Sequence, residues 1–351
     1  MKQLRKKLIH FISRLIPRWL YPLMVKREFI CIFYHAVSND DLAHISHLYP
    51  VGKISEFEDA LQYLERRYNF VSYHQLHDNH QNGTPLPSKA IHLSFDDGFV
   101  ECYSIVRPIL LERGIPCTFF LTIDWLENRM LYFRHTISLC VYTVNRLDND
   151  RKERFIHEVN SQLGMSFNSD LAFLNWLLEF RKNEEETLNM ICELLGVNPQ
   201  NYLDEIKPYL NTNQIRQMHS EGFTIGAHGV SHQKLGFISR DSMEQEIVSS
   251  CNKIKDITGQ GVVPFSFPQS AGNIDRSQLA ESLNYNPSIG LLFDTKDLRK
   301  DSFFMKNRIW AERPITTDRV LQPLPKIINH AYQDAWSEGV IEITKNLLIK
   351  E

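Results

Sequence analysis

Apolar and polar positions along residues 29–293 switch repeatedly between two periods, and that switching predicts strands alternating with helices. Phe29–Tyr34 is an apolar run that ends at His35, Ala90–Phe95 one that ends at Asp96, and Pro116–Thr122 a third. The third is nearly all apolar, as suits a strand buried inside a parallel sheet. Phe223–Ala227, Val262–Phe267 and Ser288–Phe293 repeat the pattern, and a short strand is expected around Phe70–Tyr73. Helical spacing fills the intervals. It covers Ser55–Arg67, Val100–Arg113, a helix capped by Thr212 that ends near Gly222, Met243–Ile257 capped by Ser239 or Asp241, and Arg276–Leu283. Gly114 and Gly259 stand where a helix takes its left-handed stop. Strands and helices alternating at this length predict a parallel α/β fold, with a barrel as the arrangement that fits.

The rhythm breaks over 130–210, where Arg151–Gln162, Ser169–Arg181 and Glu184–Leu195 all read as helices. This stretch is expected to be a helical insertion between two barrel strands. Phe133, Arg134 and His135 stand at its entrance, and Arg134 is a candidate substrate contact. Residues 1–28 form another unit. Lys2, Arg5, Lys6, Lys7, Arg14, Arg18, Lys26 and Arg27 precede the first acidic residue, Glu28. Leu4, Leu8, Phe11, Ile12, Leu15, Ile16, Trp19, Leu20 and Leu23 recur at helical spacing on one side. Such a basic amphipathic helix suits an anionic membrane surface or the protein's own body equally. Pro17 and Pro22 are expected to kink or end it. It lacks the run of about 18 apolar residues of a spanning helix and the cleavage pattern of a secretory signal. The expectation is a cytoplasmic protein, peripheral to the inner face of the membrane. The barrel is assigned to 29–320 and a helical tail to 321–351.

The 351 residues are 43% hydrophobic and 23% charged, the composition of a soluble globular protein, and their number suits one large α/β domain with insertions or two ordinary domains. A net charge of −3 gives no reason to expect a nucleic-acid partner. Cys31, Cys102, Cys117, Cys140, Cys192 and Cys251 stand singly, several in apolar runs and without a Cys-x-x-Cys pair. They read as reduced packing residues rather than disulfides or zinc ligands, which favours a reducing compartment.

In α/β barrels the chemistry gathers where strands end. Here the strand ends deliver Asp96-Asp97-Gly98, His228 and His232, Pro268-Gln269, and His35 to one rim. Strand alternation would send Asp96 and Asp97 to opposite faces, unless Gly98 bends the chain. Two clustered carboxylates stay ionised together only beside a cation. One Asp and two His make a ligand set for a catalytic divalent metal with open positions. The second carboxylate is then free to take a proton from water. That combination supports hydrolysis of an amide or ester without a covalent intermediate. The chain has no Gly-x-Ser-x-Gly elbow and no Gly-x-x-x-x-Gly-Lys loop, so serine-hydrolase and P-loop chemistry lack support.

These residues resemble the motifs of polysaccharide deacetylases with a NodB homology domain, carbohydrate esterase family 4. Ser94-Phe-Asp-Asp-Gly98 resembles the family's Thr-Phe-Asp-Asp-Gly. His228-Gly-Val-Ser-His232 resembles its His-Ser/Thr-x-x-His, with Gly229 replacing the hydroxyl residue. Tyr34-His35 is similar to a Tyr-His of extended members that act on exopolysaccharide amino sugars. The similarity covers roughly 29–310, with the insertion outside it. It implies a distorted, partly open (β/α) barrel of about seven parallel strands. It implies Asp96 as general base, and Asp97, His228 and His232 as ligands of zinc or of cobalt, nickel or iron(II). The third motif, Arg-x-Pro-Tyr/Phe, is here Ser266-Phe-Pro268-Gln269, so the arginine that orients the base is missing from its usual place. The Gln269 backbone N–H, with Pro268 before it, is the candidate oxyanion donor. Arg308 is the candidate replacement cation and is also assigned as a substrate contact. The Leu-x-His motif that carries the general acid has no counterpart; His35 is the better-placed candidate and His330 the other.

The function so implied is removal of an acetyl group, N-acetyl foremost, from an amino sugar in bacterial surface-polysaccharide assembly. The substrate would be an N-acetylated sugar or oligosaccharide, lipid- or nucleotide-linked. The alternative is a degenerate member that binds glycan or scaffolds an assembly complex.

Overall fold

The computed structural model describes residues 2–181, 184–315 and 320–347, apart from the side chains of residues 2–6, 10, 19 and 343–347. Leu4, Trp19 and the charges of Lys2, Arg5 and Lys6 in the N-terminal stripe thus lie outside the described residues, as does the tail beyond 347.

Eight parallel strands are present among the described residues: β1 (Phe29–Tyr34), β2 (Asn69–Phe70), β3 (Ala90–Phe95), β4 (Cys117–Leu121), β5 (Thr224–Ala227), β6 (Val263–Ser266), β7 (Ile289–Asp294) and β8 (Met305–Trp310). Seven of them close a ring. β1 pairs with β8 on one side and with β3 on the other, and the ring runs on through β4, β5, β6 and β7. β2 is an addition to it, lying against Ala90 and Ile91 of β3, while β4 pairs with β3 from Leu93 onward. The fold is therefore the expected seven-stranded (β/α) barrel. It is not partly open, because Phe29–Tyr34 pairs with Ala90–Phe95 along the whole of both strands. Its thinnest seam is β5–β6, joined through Ala227 and Phe265.

Alternation along the strands divides the interior. Ile32, Tyr34, Leu93, Phe95, Phe119 and Leu121 pack outward with Leu61, Leu110, Met218 and Ile254 of the surrounding helices. The inward faces supply Phe33, Phe120 and Phe293, but also Ser94, Ser266 and Arg308. This polar lining hid β8 from sequence reading, since Met305–Trp310 carries Lys306 and Arg308 where a buried strand is ordinarily apolar.

Local chemistry explains the other differences. The run Phe70–Tyr73 divides, because Ser72 and Gln75 form a reciprocal capping box that starts a helix, Tyr73–Asn82. Asn211 rather than Thr212 caps the helix Thr212–Ser220, again through a box, with Gln214. The segment expected as one helix over Val100–Arg113 opens as a wide turn, Cys102–Val106. Pro108, which has no N–H to donate, follows directly in the helix Arg107–Arg113.

Between β4 and β5 the described residues of the insertion include the helices Phe133–Arg146, Asn149–Leu163, Asp170–Leu178, Glu185–Leu195 and Pro199–Ile206. The first four bury a core of their own around Val144, Val159, Phe173, Leu177 and Ile191. At the N-terminus the helix Lys2–Leu15 stops before Pro17 and lies against the C-terminal helix, Leu324–Leu347. All six cysteines are buried and free of disulfides. No helix among the described residues is long and apolar enough to cross a membrane.

Candidate active site

Asp96 continues the alternation of β3, so it faces inward with Ser94. Asp97 would by the same rule turn outward. It escapes by taking a left-handed backbone (φ +76°), a conformation that costs a non-glycine residue about 1 kcal/mol or more. The bend expected at Gly98 thus begins one residue earlier. Gly98 completes it at φ +84°, where a Cβ would lie 2.9 Å from Leu121 Cδ2. Both carboxylates are buried and reach the same pocket.

His228 and His232 meet Asp97 there. Their Nε2 atoms lie 3.5 and 3.3 Å from Asp97 Oδ1, and the three groups can converge on one ion. His228 Nδ1 donates to the Ser266 carbonyl at 2.8 Å, which fixes the tautomer and leaves Nε2 as a lone-pair donor. Burial pushes His228 down to about 4 against the pull of Asp96, so its ring is neutral. Burial opposes ionisation of Asp97, yet the imidazoles of His232, His35 and His228 hold its carboxyl well below the usual range. Asp97 Oδ1 is buried and has no hydrogen-bond donor among the described residues. A bare carboxylate oxygen beside two imidazole nitrogens fits a divalent cation.

The His-x-x-x-His loop is held from behind by Glu246, which accepts from the Val230 N–H at 2.6 Å, the Ser231 N–H at 3.1 Å and the Ser231 hydroxyl at 2.5 Å. Gly229 has φ +80°, and a Cβ there would stand 3.1 Å from Glu246 Oε2. The loop geometry therefore accounts for glycine at this position. On its other side His232 is walled by Trp125 and Tyr132, with ring centroids at 5.0 and 5.2 Å.

Asp96 has a different partner. Arg308 donates to both its oxygens, each at 2.7 Å, and also to Ser266 Oγ at 2.6 Å and Ser94 Oγ at 3.0 Å. The guanidinium is fully buried, with the ring of Phe33 centred 4.4 Å away. Assignment of Arg308 as a substrate contact is therefore corrected, since it has no exposed surface to offer. Burial raises the Asp96 carboxyl, but Arg308, His228 and His35 together bring it below its ordinary value.

His35 follows β1. Its Nδ1 lies 2.7 Å from Glu312 Oε2, and Glu312 also accepts from the His35 and Ala36 N–H groups and from Trp310 Nε1. Burial works against the imidazolium, but Glu312, Asp97 and Asp96 raise His35 to about 9. Tyr49 stacks on this ring at 4.3 Å and donates to Asp97 Oδ2 at 3.1 Å, which ties the histidine to the carboxylate pair. A histidine raised from 6.5 to about 9 stabilises the fold by roughly 3 kcal/mol below pH 6.5 and loses that stabilisation as pH climbs through 9. Metal-free wild type is thus expected to unfold in less urea as pH rises from 6.5 to 9, while Glu312→Gln shows little of this slope. Parallel slopes for the two would remove the carboxylate as the cause.

Pro268 and Gln269 follow β6, the neighbour of the strand that leads into His228. Gln269 is left-handed (φ +61°) and its N–H has no acceptor among the described residues; Pro268 packs beside Gly229. Arg134 lies over the Phe133 ring and lines a hollow of the insertion with Trp176, Arg181 and Glu184, and it also meets Tyr132. His330 sits on the C-terminal helix among Arg18 and Lys326, away from the carboxylates. Glu312, Tyr49 and Glu246 escaped sequence reading. The signal for Glu312 was its two-residue spacing from Trp310 and Arg308, which puts all three on one face of a strand and its extension.

The family model described as polysaccharide deacetylase matches residues 83–164 and 185–288, more than half of the chain. The match runs through most of the insertion, which the motif comparison had placed outside the similarity. The poly-beta-1,6-N-acetyl-D-glucosamine N-deacetylase of Escherichia coli (strain K12) is 32% identical over 100 residues, 28% of this chain but only 15% of that protein. Among solved structures, the Streptococcus pyogenes deacetylase PplD in complex with acetate aligns with a TM-score of 0.50 at 15% identity, covering 80% of this chain and 91% of that one. A de-N-acetylase from Aggregatibacter actinomycetemcomitans does so with 0.50 at 17%, covering 80% and 93%. At these identities the structural likeness is one of fold. The family match spans both the Asp96-Asp97 strand end and the His228–His232 loop, and by it the chain belongs to the polysaccharide deacetylase family.

Proposed function

We propose that this protein is a metal-dependent hydrolase that removes the acetyl group from an N-acetylated amino sugar of a surface polysaccharide. The observation that carries the reading is the unequal treatment of two adjacent carboxylates. Asp97 keeps a bare oxygen beside two histidines, whereas Asp96 is locked to a buried arginine. Asp97, His228 and His232 would hold the ion, for which zinc, cobalt, nickel or iron(II) are suitable. When bound, such an ion lowers the pKa of water and polarises the acyl carbonyl.

The chain's own residues do the rest. Asp96, kept ionised and aimed by Arg308, accepts the proton of the attacking water. The Gln269 N–H stabilises charge that develops on the carbonyl oxygen. The departing amine needs a proton, and His35, held protonated by Glu312, is the group to supply it. The name of the Escherichia coli relative supports an N-acetylglucosamine polymer as the substrate class, and the acetate in the Streptococcus pyogenes structure is the product such a reaction releases.

The test is acetate release from N-acetylglucosamine oligomers. Metal-stripped protein is expected to release none, and added zinc or cobalt to restore it. His228→Ala should lose metal affinity by more than the factor of about 10–100 typical of losing a supporting partner, and turnover with it. A folded wild type that takes up neither ion and releases no acetate would overturn the proposal.

A further inference from the structure

The helix Lys2–Leu15 has two faces with opposite surroundings. Ile9 and Ser13 are buried, and Ile16 just beyond packs on the main core, so positions 9, 13 and 16 mark the side turned to the body. The Ser13 carbonyl is fastened there by the Tyr21 hydroxyl and by Gln333 Nε2 of the C-terminal helix, the latter at 3.0 Å. Leu8, Phe11, Ile12 and Leu15 follow the spacing i, i+3, i+4, i+7 and form a second stripe, about a third of a turn away at about 100° per residue. That stripe is uncovered: Leu8 is 57%, Phe11 60% and Leu15 69% exposed. Leu23 and Met24 extend the exposed apolar surface past the prolines. An apolar patch of this kind on a soluble fold marks a contact surface.

Charge identifies what it contacts. Lys7 and Arg14 border the stripe beside Phe11, and they are exposed, as are Arg18 and Lys26. Residues 1–27 carry eight Lys and Arg and no Asp or Glu. The chain's net charge is −3, so −11 resides on the remainder. A second copy of this chain is a poor occupant, because pairing two such helices would bring both sets of positive charges together. An anionic sheet of phosphates over an apolar layer matches both features at once. We propose that this helix lies in the plane of an anionic lipid bilayer, with Phe11 and Leu15 entering the acyl boundary and Lys7, Arg14 and Arg18 meeting headgroup phosphates. The proposal rests on the N-terminal segment and is independent of the chemistry in the barrel.

Flotation of the full-length protein tests it. With vesicles of equal parts phosphatidylglycerol and phosphatidylcholine the protein is expected to rise with the lipid, and with phosphatidylcholine alone to stay behind. The double variants Phe11→Glu with Leu15→Glu, and Lys7→Glu with Arg14→Glu, are each expected to weaken binding by about tenfold or more, with melting temperatures unchanged. Equal flotation with both vesicle types, or flotation that neither variant diminishes, would overturn the proposal. So would a lipid-free dimer that Phe11→Glu dissociates, which would assign the stripe to a second copy.

Discussion

Asparagine at position 96 is expected to reduce acetate release by a factor of about 10² to 10⁴ while metal content stays at the wild-type level. The two effects separate because Asp96 lies outside the Asp97–His228–His232 group and holds Arg308 instead. The amide is nearly isosteric, but it cannot take a proton from water. It also strips a buried guanidinium of its counter-ion, so folding stability is expected to fall alongside turnover. The double variant Asp96→Asn with Arg308→Met removes both charges and should regain much of the stability with none of the activity. Turnover near wild type in a metal-loaded Asp96→Asn protein would mean that the proton acceptor lies elsewhere.

Alanine at position 308 should have the largest effect on stability, about 3–5 kcal/mol, measured by urea denaturation. It would leave the Asp96 carboxylate buried in the barrel with the Ser266 hydroxyl, at 3.5 Å, as its remaining hydrogen-bond donor among the described residues. Burial alone would raise the Asp96 carboxyl, and Arg308 is the largest influence holding it down. The acid limb of the pH–rate profile is therefore expected to move upward in whatever protein still folds. Lysine at this position keeps the charge but cannot make the two-pronged contact, so it should fall between alanine and arginine. Unchanged unfolding of Arg308→Ala would show that the pair contributes nothing to the fold.

Legibility in the sequence followed the physics of each element. β1 and β3 were readable to the residue, because β1 is a uniformly apolar run and β3 an apolar-rich one interrupted by His92 and Ser94, and each is closed by a polar group at the barrel mouth. β8 was not, because its inward position is an arginine whose carboxylate partner lies 212 residues away in sequence. The carboxylates and the His-x-x-x-His pair were legible as a local motif. The His35–Glu312 pair joins residues 277 apart, across a β1–β8 contact that no local pattern announces. Gly98 was correctly singled out as a conformational signal. That Asp97 itself takes the left-handed turn could not be read, since aspartate tolerates that region without requiring it.

The first four helices of the insertion close on a core of their own, and the segment meets the barrel through the rings of Trp125, Tyr132, His135 and Tyr209 around Phe99, through Leu139 and Leu203, and through hydrogen bonds of Ser138 with the Ala43 carbonyl and of His44 with Tyr202. Of these, Trp125 and Tyr132 flank His232. A segment whose outer helices pack on a core of their own can change its length and outer surface without shifting the residue it leans on. Evolution is thereby left free to diversify the outer helices, and with them whatever they touch, while the rings beside His232 keep the reaction centre in register.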